Sequence, residues 1–434
     1  MKIAIIGSGV AGLGAAWALE GLHELVVYEA DDRLGGHANT VTIDYAGEAI
    51  DVDTGFIVYN EENYPNLRGL FSALEVETRL TDMSFACAGG GVEWSSNFPR
   101  GVFAQKRNLL RPDFLGMLND IRRFYAVARS DLMRGEFDDL TLSAWLRLRR
   151  FGGGFRDRFL LPMGAAIWSS TEGGIGDFPA ESFLRFLQNH GLLQFKPPQW
   201  RTVVGGSRSY VRRIGEALGD SVRLNARVVA VTRTDAGVVV RDSHGREDLF
   251  DQVILACHAP DALAMLRDAD PEEHALLAAI RYAPNRAFLH RDPALMPSRE
   301  SAWGSWNYVT NSDEKTDPYV TYWMNNLQGV DPTRPLFVSL NAPEPDPALT
   351  FGAWDYEHPQ FDTAALAAQR RFGRIQGRGG VWYAGAWLGY GFHEDGVTSG
   401  VKAALALGGQ VPWAFVDHRV AGLTEAPAPL AAAA

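Results

Sequence analysis

Cysteine is almost absent: Cys87 and Cys257 stand alone in 434 residues, with no CxxC pair and no metal-ligand spacing. A disulfide framework, a zinc site and a redox-active disulfide are therefore not indicated, and both thiols read as inert and buried. Long apolar runs are missing as well. No uninterrupted segment approaches the ~20 residues of a membrane span. The apolar run "IAIIG" begins at residue 3 and leads straight into a glycine turn, too short for a secretory h-region. The expected location is the cytoplasm, with any membrane contact peripheral and on the inner face. A basic excess is also lacking: the net charge of −11 excludes nucleic acid as the main partner, because phosphate binding needs a basic surface. No metal site and no internal repeat are expected.

What is present is a globular chain long enough for two domains, with 46% hydrophobic and 11% aromatic residues. Its strongest signal is "KIAIIGSGVAGLGAAWALEG" followed by "HELVVYEADDRLGG". Lys2 to Ile6 reads as a buried strand and Val10 to Glu20 as a helix of small and apolar residues. Between them Gly7, Gly9 and Gly12 keep GxGxxG spacing. The first serves a tight turn, the second lets backbone approach a pyrophosphate, and the third allows helix to pack closely on strand. The helix N-terminus around Val10 and Ala11 offers free N–H groups to phosphate. A second strand ends at Glu29, 20 residues after Gly9, where a carboxylate accepts hydrogen bonds from ribose hydroxyls.

Glu29-Ala30-x-x-Arg33-x-Gly35-Gly36 resembles the extended fingerprint of FAD-dependent amine-oxidase and phytoene-desaturase-like flavoproteins. The resemblance implies FAD rather than NAD, a second diphosphate contact from the Arg33–Gly36 loop, and an α/β fold. In that fold a Rossmann-like FAD-binding domain carries an inserted α+β substrate domain. His37 follows the paired glycines where many relatives place arginine, which makes the local charge dependent on pH. The resemblance further puts Gly55 and Phe56 of "DTGFIVYNEENYPNL" beside the flavin ring and Val228 near the adenine. Gly385 would contact the cofactor, and Asp395, Gly396 and Val397 would start a helix aimed at the flavin. The expected segments are 1–80, 196–280 and 371–412 for FAD, 81–195 and 281–370 for substrate, and 413–434 as a disordered tail. Residues 81–195 read as mainly helical, "RVVAVTRTDAGVVVRDSHG" (227–245) as a hairpin turning at Asp235-Ala236-Gly237, and 280–370 as sheet.

"GYGFHEDGVTSG", "DTGFIVYNEENYPNL" and "YAPNRAFLHRDPALMPSRESAWGSWNY" are similar to one bacterial branch that accompanies cyclopropane-fatty-acid-synthase-like methyltransferases. That likeness implies desaturation of a methyl-branched acyl chain in membrane phospholipid, and a lipid methyltransferase as partner. Oxidation of a small soluble amine is the alternative enzyme, and a non-catalytic flavoprotein partner is the third reading. No second GxGxxG follows a strand. "AGGGV" at 88–92 and "FGGGF" at 151–155 lack the strand–turn–helix context, so reoxidation by oxygen or another small acceptor is expected rather than exchange with NADPH.

His393 and Glu394 are the candidates for proton handling, with support of their neighbours by hydrogen bonding as the competing reading. His190, His258 and His358 read as structural. The aromatics between Trp303 and Trp323 fit either a substrate tunnel or half of a core. Between residues 100 and 158, 13 Lys and Arg face 7 Asp and Glu. On a wheel of Asp113 to Arg134 the apolar side chains share one arc, with Arg122, Arg123, Arg129 and Arg134 on the flank and back. Such a helix either packs that face on the core or docks a basic, partly apolar surface on anionic lipid.

Overall fold

A computed structural model describes residues 1–135, 137, 140–168, 172–194, 198–310 and 317–417. Its centre is a five-stranded sheet in the order Val222–Arg223, Glu24–Tyr28, Lys2–Ile6, Gln252–Leu255, Val381–Tyr383. Every neighbouring pair is parallel. The strands are short continuous apolar runs, as a sheet covered on both faces requires. Helix α1 (Val10–Leu19) leaves the first strand at the glycine turn and buries nine of its ten residues. It can do so because the sheet covers one side and the C-terminal helix covers the other.

The remaining helices that position the site are α2 (Pro65–Ala73), α3 (Pro112–Arg134), α4 (Arg208–Leu218) and α5 (His393–Ala406). Alpha-helix α5 lies against α1 closely enough that a Cβ on Gly400 would sit 1.9 Å from Ala11 O. The predicted hairpin is present, with strands Val228–Thr234 and Gly237–Asp242, joined by a third strand, Glu247–Phe250.

A second, seven-stranded sheet runs in the order Thr350–Gln360, Arg281–His290, Phe337–Leu340, Tyr319–Trp323, Trp306–Val309, Phe85–Gly89, Val92–Ser95. The segment after residue 81 thus opens as a hairpin rather than a helix. Its turn is the "AGGGV" run, where Gly90 and Gly91 take positive φ. Helices dominate from α3 to Asn189. The apolar arc of α3 faces inward: Phe114, Met117, Phe124, Ala128 and Leu132 are buried in one aromatic-rich core. Arg123 also turns out to be structural. Its guanidinium donates to Arg149 O and Arg150 O at 2.8 Å each and lies 4.1 Å from the Phe151 ring centroid.

Two junctions tie distant segments together. Asp53 accepts hydrogen bonds from Thr40 Oγ1 (2.6 Å), Ser207 Oγ (2.7 Å) and Gln328 Nε2 (2.8 Å). Beyond α5 the chain stays packed, contrary to the disordered tail expected from 413. Trp413 covers Gly69, and Val416 exchanges hydrogen bonds with the Asn66 side chain at 3.1 and 2.8 Å. The rest of the expected tail, 418–434, lies outside the described residues.

Candidate active site

One cavity of about 1270 Å³ opens at the carboxyl ends of the parallel strands and continues beneath the second sheet. That edge is where open α/β sheets bind ligands. The volume exceeds the roughly 300–1,000 Å³ of a pocket for one drug-sized molecule, so a dinucleotide and a substrate fit side by side.

The glycine turn forms one end. Gly7 has φ +102°, and a Cβ there would stand 2.6 Å from Ala256 O. Gly12 is behind the wall, its Cβ position 1.9 Å from Gly7 O. Gly9 is different: φ is −64° and ψ 177°, and a Cβ would meet nothing within 4 Å. The protein leaves open space at Gly9, beside Val10 and Ala11 at the start of α1, which is the cradle a diphosphate needs. Glu29 and Ala30 line the same end. Glu29 accepts from Ser8 N (3.0 Å) and the Ser8 hydroxyl, fixing its carboxylate toward the turn. Arg33 lines the cavity while its Nη2 donates to Gly36 O at 2.9 Å. Gly36 lies against Gly9, whereas Gly35 packs on Ala38 and Val211 away from the cavity. Val228 lines the wall from the hairpin and Gly385 from the end of the last parallel strand.

His37, Gly55 and Phe56 form the middle. A Cβ on Gly55 would be 2.2 Å from His37 O, and Phe56 N donates to that same carbonyl at 2.8 Å. The Phe56 ring stacks on His393, centroids 3.7 Å apart. His393 is the first residue of α5 and faces the cavity with no protein partner for Nε2. Burial lowers its pKa to about 3, so it is neutral. His37 Nε2 is likewise buried without a partner. Burial, then the neighbouring His358, His258, His393 and Arg33, hold His37 well below the ordinary histidine range.

Glu394 and the residues after it do not reach the cavity. The Glu394 carboxylate accepts from Asn66 N (3.0 Å) and Leu67 N (2.9 Å), capping α2 from the neighbouring helix. Its role is to join α2 to α5, not to handle protons at the cavity. Asp395 accepts from Tyr390 N (3.1 Å) and Phe392 N (2.9 Å), which shapes the start of α5. Gly396 packs on Val10, and Val397 packs on Gly14. These three residues place the helix, and none of them lines the cavity.

Three histidines read as structural are on the cavity wall. His258 follows the strand Gln252–Leu255, stacks on Tyr282 at 4.2 Å and brings Nδ1 within 3.4 Å of the Glu357 carboxylate. His358 stands 5.4 Å from His37 by ring centroids, and burial lowers its pKa to about 4. His190 packs tilted on Phe186 at 4.0 Å, and Phe186 stacks on Phe392 at 5.4 Å. Sequence alone gave no hint of this convergence, because 37, 258 and 358 belong to three elements that meet only in the folded chain. Cys257 also lines the cavity, its thiol pushed far up by burial and so uncharged.

The far end is apolar. Tyr125, Phe159, Met163, Phe186, Trp306, Tyr322 and Phe392 line it. Trp306 and Tyr322 face one another across paired strands, 15° from parallel with centroids 6.2 Å apart. Trp303 and Trp323 pack elsewhere, edge to face, so the aromatic segment is part tunnel and part core. Every charged lining residue (Glu29, Asp31, Arg33, Arg227, Asp261, Asp355, Glu357) comes from the glycine-turn end, 226–229, 258–261 or 355–358. Among the described residues the helical segment contributes no charge to the wall, and no cluster could hold a metal ion.

Residues 10–290 match the family of flavin containing amine oxidoreductases. A Mycobacterium tuberculosis protein named as a flavin-containing monoamine oxidase, AofH, is 29% identical over 264 residues, which are 57% of this chain and 55% of that protein. The chain thus spans about half the length of the curated relative it matches. Among solved structures, putrescine oxidase bound to putrescine superposes with a TM-score of 0.66 at 18% identity, covering 94% of this chain and 99% of that one. Cyclohexylamine oxidase from Brevibacterium oxydans gives 0.64 at 19% identity over 94% and 98%. A CLA-producing fatty acid isomerase from P. acnes gives 0.64 at 17% identity over 93% and 97%. These likenesses establish an amine-oxidase-like, two-domain α/β fold.

Proposed function

Because the chain belongs to the flavin containing amine oxidoreductase family and is an FAD-dependent oxidoreductase, we propose that it oxidises the acyl chain of a membrane phospholipid, introducing a double bond. The observation that carries this reading is the uncharged far end of the cavity. A protonated amine taken from water into an aromatic pocket loses several kcal/mol of hydration unless a carboxylate or ring face replaces it. A hydrocarbon gains on entry, about 0.8 kcal/mol per buried CH₂.

Bound FAD supplies a two-electron hydride acceptor. The residues of this chain do the rest. The glycine turn, Glu29 and the Arg33–Gly36 loop hold the cofactor's charged half. The aromatic wall binds and dries the chain to be oxidised. The proton lost from the adjacent carbon needs an acceptor, and His393 Nε2, which faces the cavity without a protein partner and stacks on Phe56, is assigned that place as a weak, neutral base. A methyl-branched chain made by a lipid methyltransferase is the proposed form of the substrate.

Oxidation of a small amine has its own supporting observation: the paired rings of Trp306 and Tyr322 can attract a cation through their faces. Anaerobic mixing with phospholipid in detergent, and separately with mono- and diamines, distinguishes the two by flavin bleaching. Bleaching by lipid alone supports acyl oxidation, and bleaching by amines alone replaces it with the amine reading.

A further inference from the structure

The basic, apolar surface expected on α3 is displaced in the fold, since that helix turns its apolar arc inward. Among the described residues, four of the twelve exposed large hydrophobic side chains lie instead within residues 98–115: Phe98 (79% exposed), Leu109 (49%), Leu110 (87%) and Leu115 (44%). Between them stand Arg100, Lys106, Arg107 and Arg111, with Asp113 the one carboxylate of the segment. Asp113 is already engaged by Arg111 (3.2 Å) and Arg158 (2.6 Å). Arg100, Lys106 and Arg107 are exposed and pair with no carboxylate among the described residues.

The segment is held in shape. Ser95 N donates to Gly101 O at 3.0 Å, Phe103 N to Pro99 O at 3.1 Å and Asn108 N to Gln105 O at 2.9 Å. Phe98 and Leu110 are therefore kept outward by an ordered loop that has Val102 and Asn108 buried beneath it. We infer that residues 98–115 form a docking surface for an anionic phospholipid bilayer. Charge complementarity favours a bilayer: protruding single apolar side chains interleaved with unpaired cations match an interface of hydrocarbon beneath anionic headgroups.

The inference deepens the acyl-chain reading, and its test needs no turnover. Holoprotein is floated with vesicles of phosphatidylcholine alone and with added phosphatidylglycerol. The expected result is binding that rises with anionic lipid and falls with salt. Arg100→Gln with Lys106→Gln should weaken partition by roughly thirtyfold at low salt, from about fivefold per cation. Phe98→Ala with Leu110→Ala should weaken it by at least about tenfold. Both variants should keep the FAD spectrum and the flavin bleaching by detergent-dispersed substrate. Equal binding to neutral and anionic vesicles, or none to either, overturns the inference. So does self-association of wild type that the Phe98/Leu110 variant abolishes, which would make this face a protein interface. If vesicles bind as expected while no lipid bleaches the flavin, docking stands and the substrate reading falls.

Discussion

Gly9 and Gly12 offer a test of the cofactor site in which two neighbouring substitutions should fail for different reasons. Alanine at Gly9 has a permitted backbone conformation and meets no atom within 4 Å. The unliganded Gly9→Ala fold should therefore match wild type within about 0.5 kcal/mol, as for a surface change. Its Cβ occupies the space where phosphate oxygens approach the α1 N-terminus. Each charge-assisted hydrogen bond lost there costs about 1.5–3 kcal/mol, or roughly 10- to 150-fold in affinity. FAD at 100 times its Kd stabilises wild type by about 2.7 kcal/mol, whereas a variant bound a hundredfold more weakly would keep only about 0.4 kcal/mol at that concentration. Gly12→Ala instead drives a Cβ to 1.9 Å from Gly7 O, and should cost the apo fold about 3 kcal/mol or more. The assay is urea unfolding of each apoprotein with and without FAD, beside direct titration of flavin fluorescence. The reasoning fails if Gly9→Ala binds FAD as wild type does, or destabilises the apoprotein as much as Gly12→Ala.

His393→Asn should slow flavin reduction by substrate while FAD retention stays unchanged. Glu394→Ala should instead lower stability by about 2 kcal/mol through the uncapped Asn66 and Leu67 amides, seen as a lower urea midpoint with the flavin spectrum preserved. His290 is fully buried, its Nε2 2.7 Å from Ser339 Oγ, and burial depresses its pKa to about 4. The unfolded chain takes up that proton first, so stability is held above pH 6.5 and declines as pH falls toward 4, by up to about 3 kcal/mol. His290→Gln should flatten that part of the profile of urea midpoint against pH. NADPH should not bleach the flavin anaerobically at a useful rate, because the sequence carries no second GxGxxG after a strand; rapid bleaching without lipid would contradict this.

Local features were legible where one segment determines its own shape. The strand, glycine turn and helix of residues 2–19 follow from spacing and from apolar runs that need cover on both faces, and the hairpin turn at Asp235–Gly237 from its turn residues. The site was only partly legible, because its walls join residues far apart in the chain. His37, His258 and His358 carry no shared pattern. Adjacency misled at His393 and Glu394: a helix turns about 100° per residue, sending one side chain to the cavity and the other to α2. The amphipathic arc of α3 was correct as a pattern. Whether protein or lipid covers it depends on the hairpin and helices packed against it, which periodicity does not encode.

The central claim is that the apolar end of the cavity holds an acyl chain oxidised by the bound flavin. The most direct measurement is a single anaerobic turnover with phospholipid, extracted and weighed by mass spectrometry against the amount of flavin reduced. The account predicts one acyl chain lighter by two hydrogens for each flavin bleached. An unchanged lipid mass, together with flavin bleached by a soluble amine and recovery of the corresponding aldehyde or ketone, would contradict it.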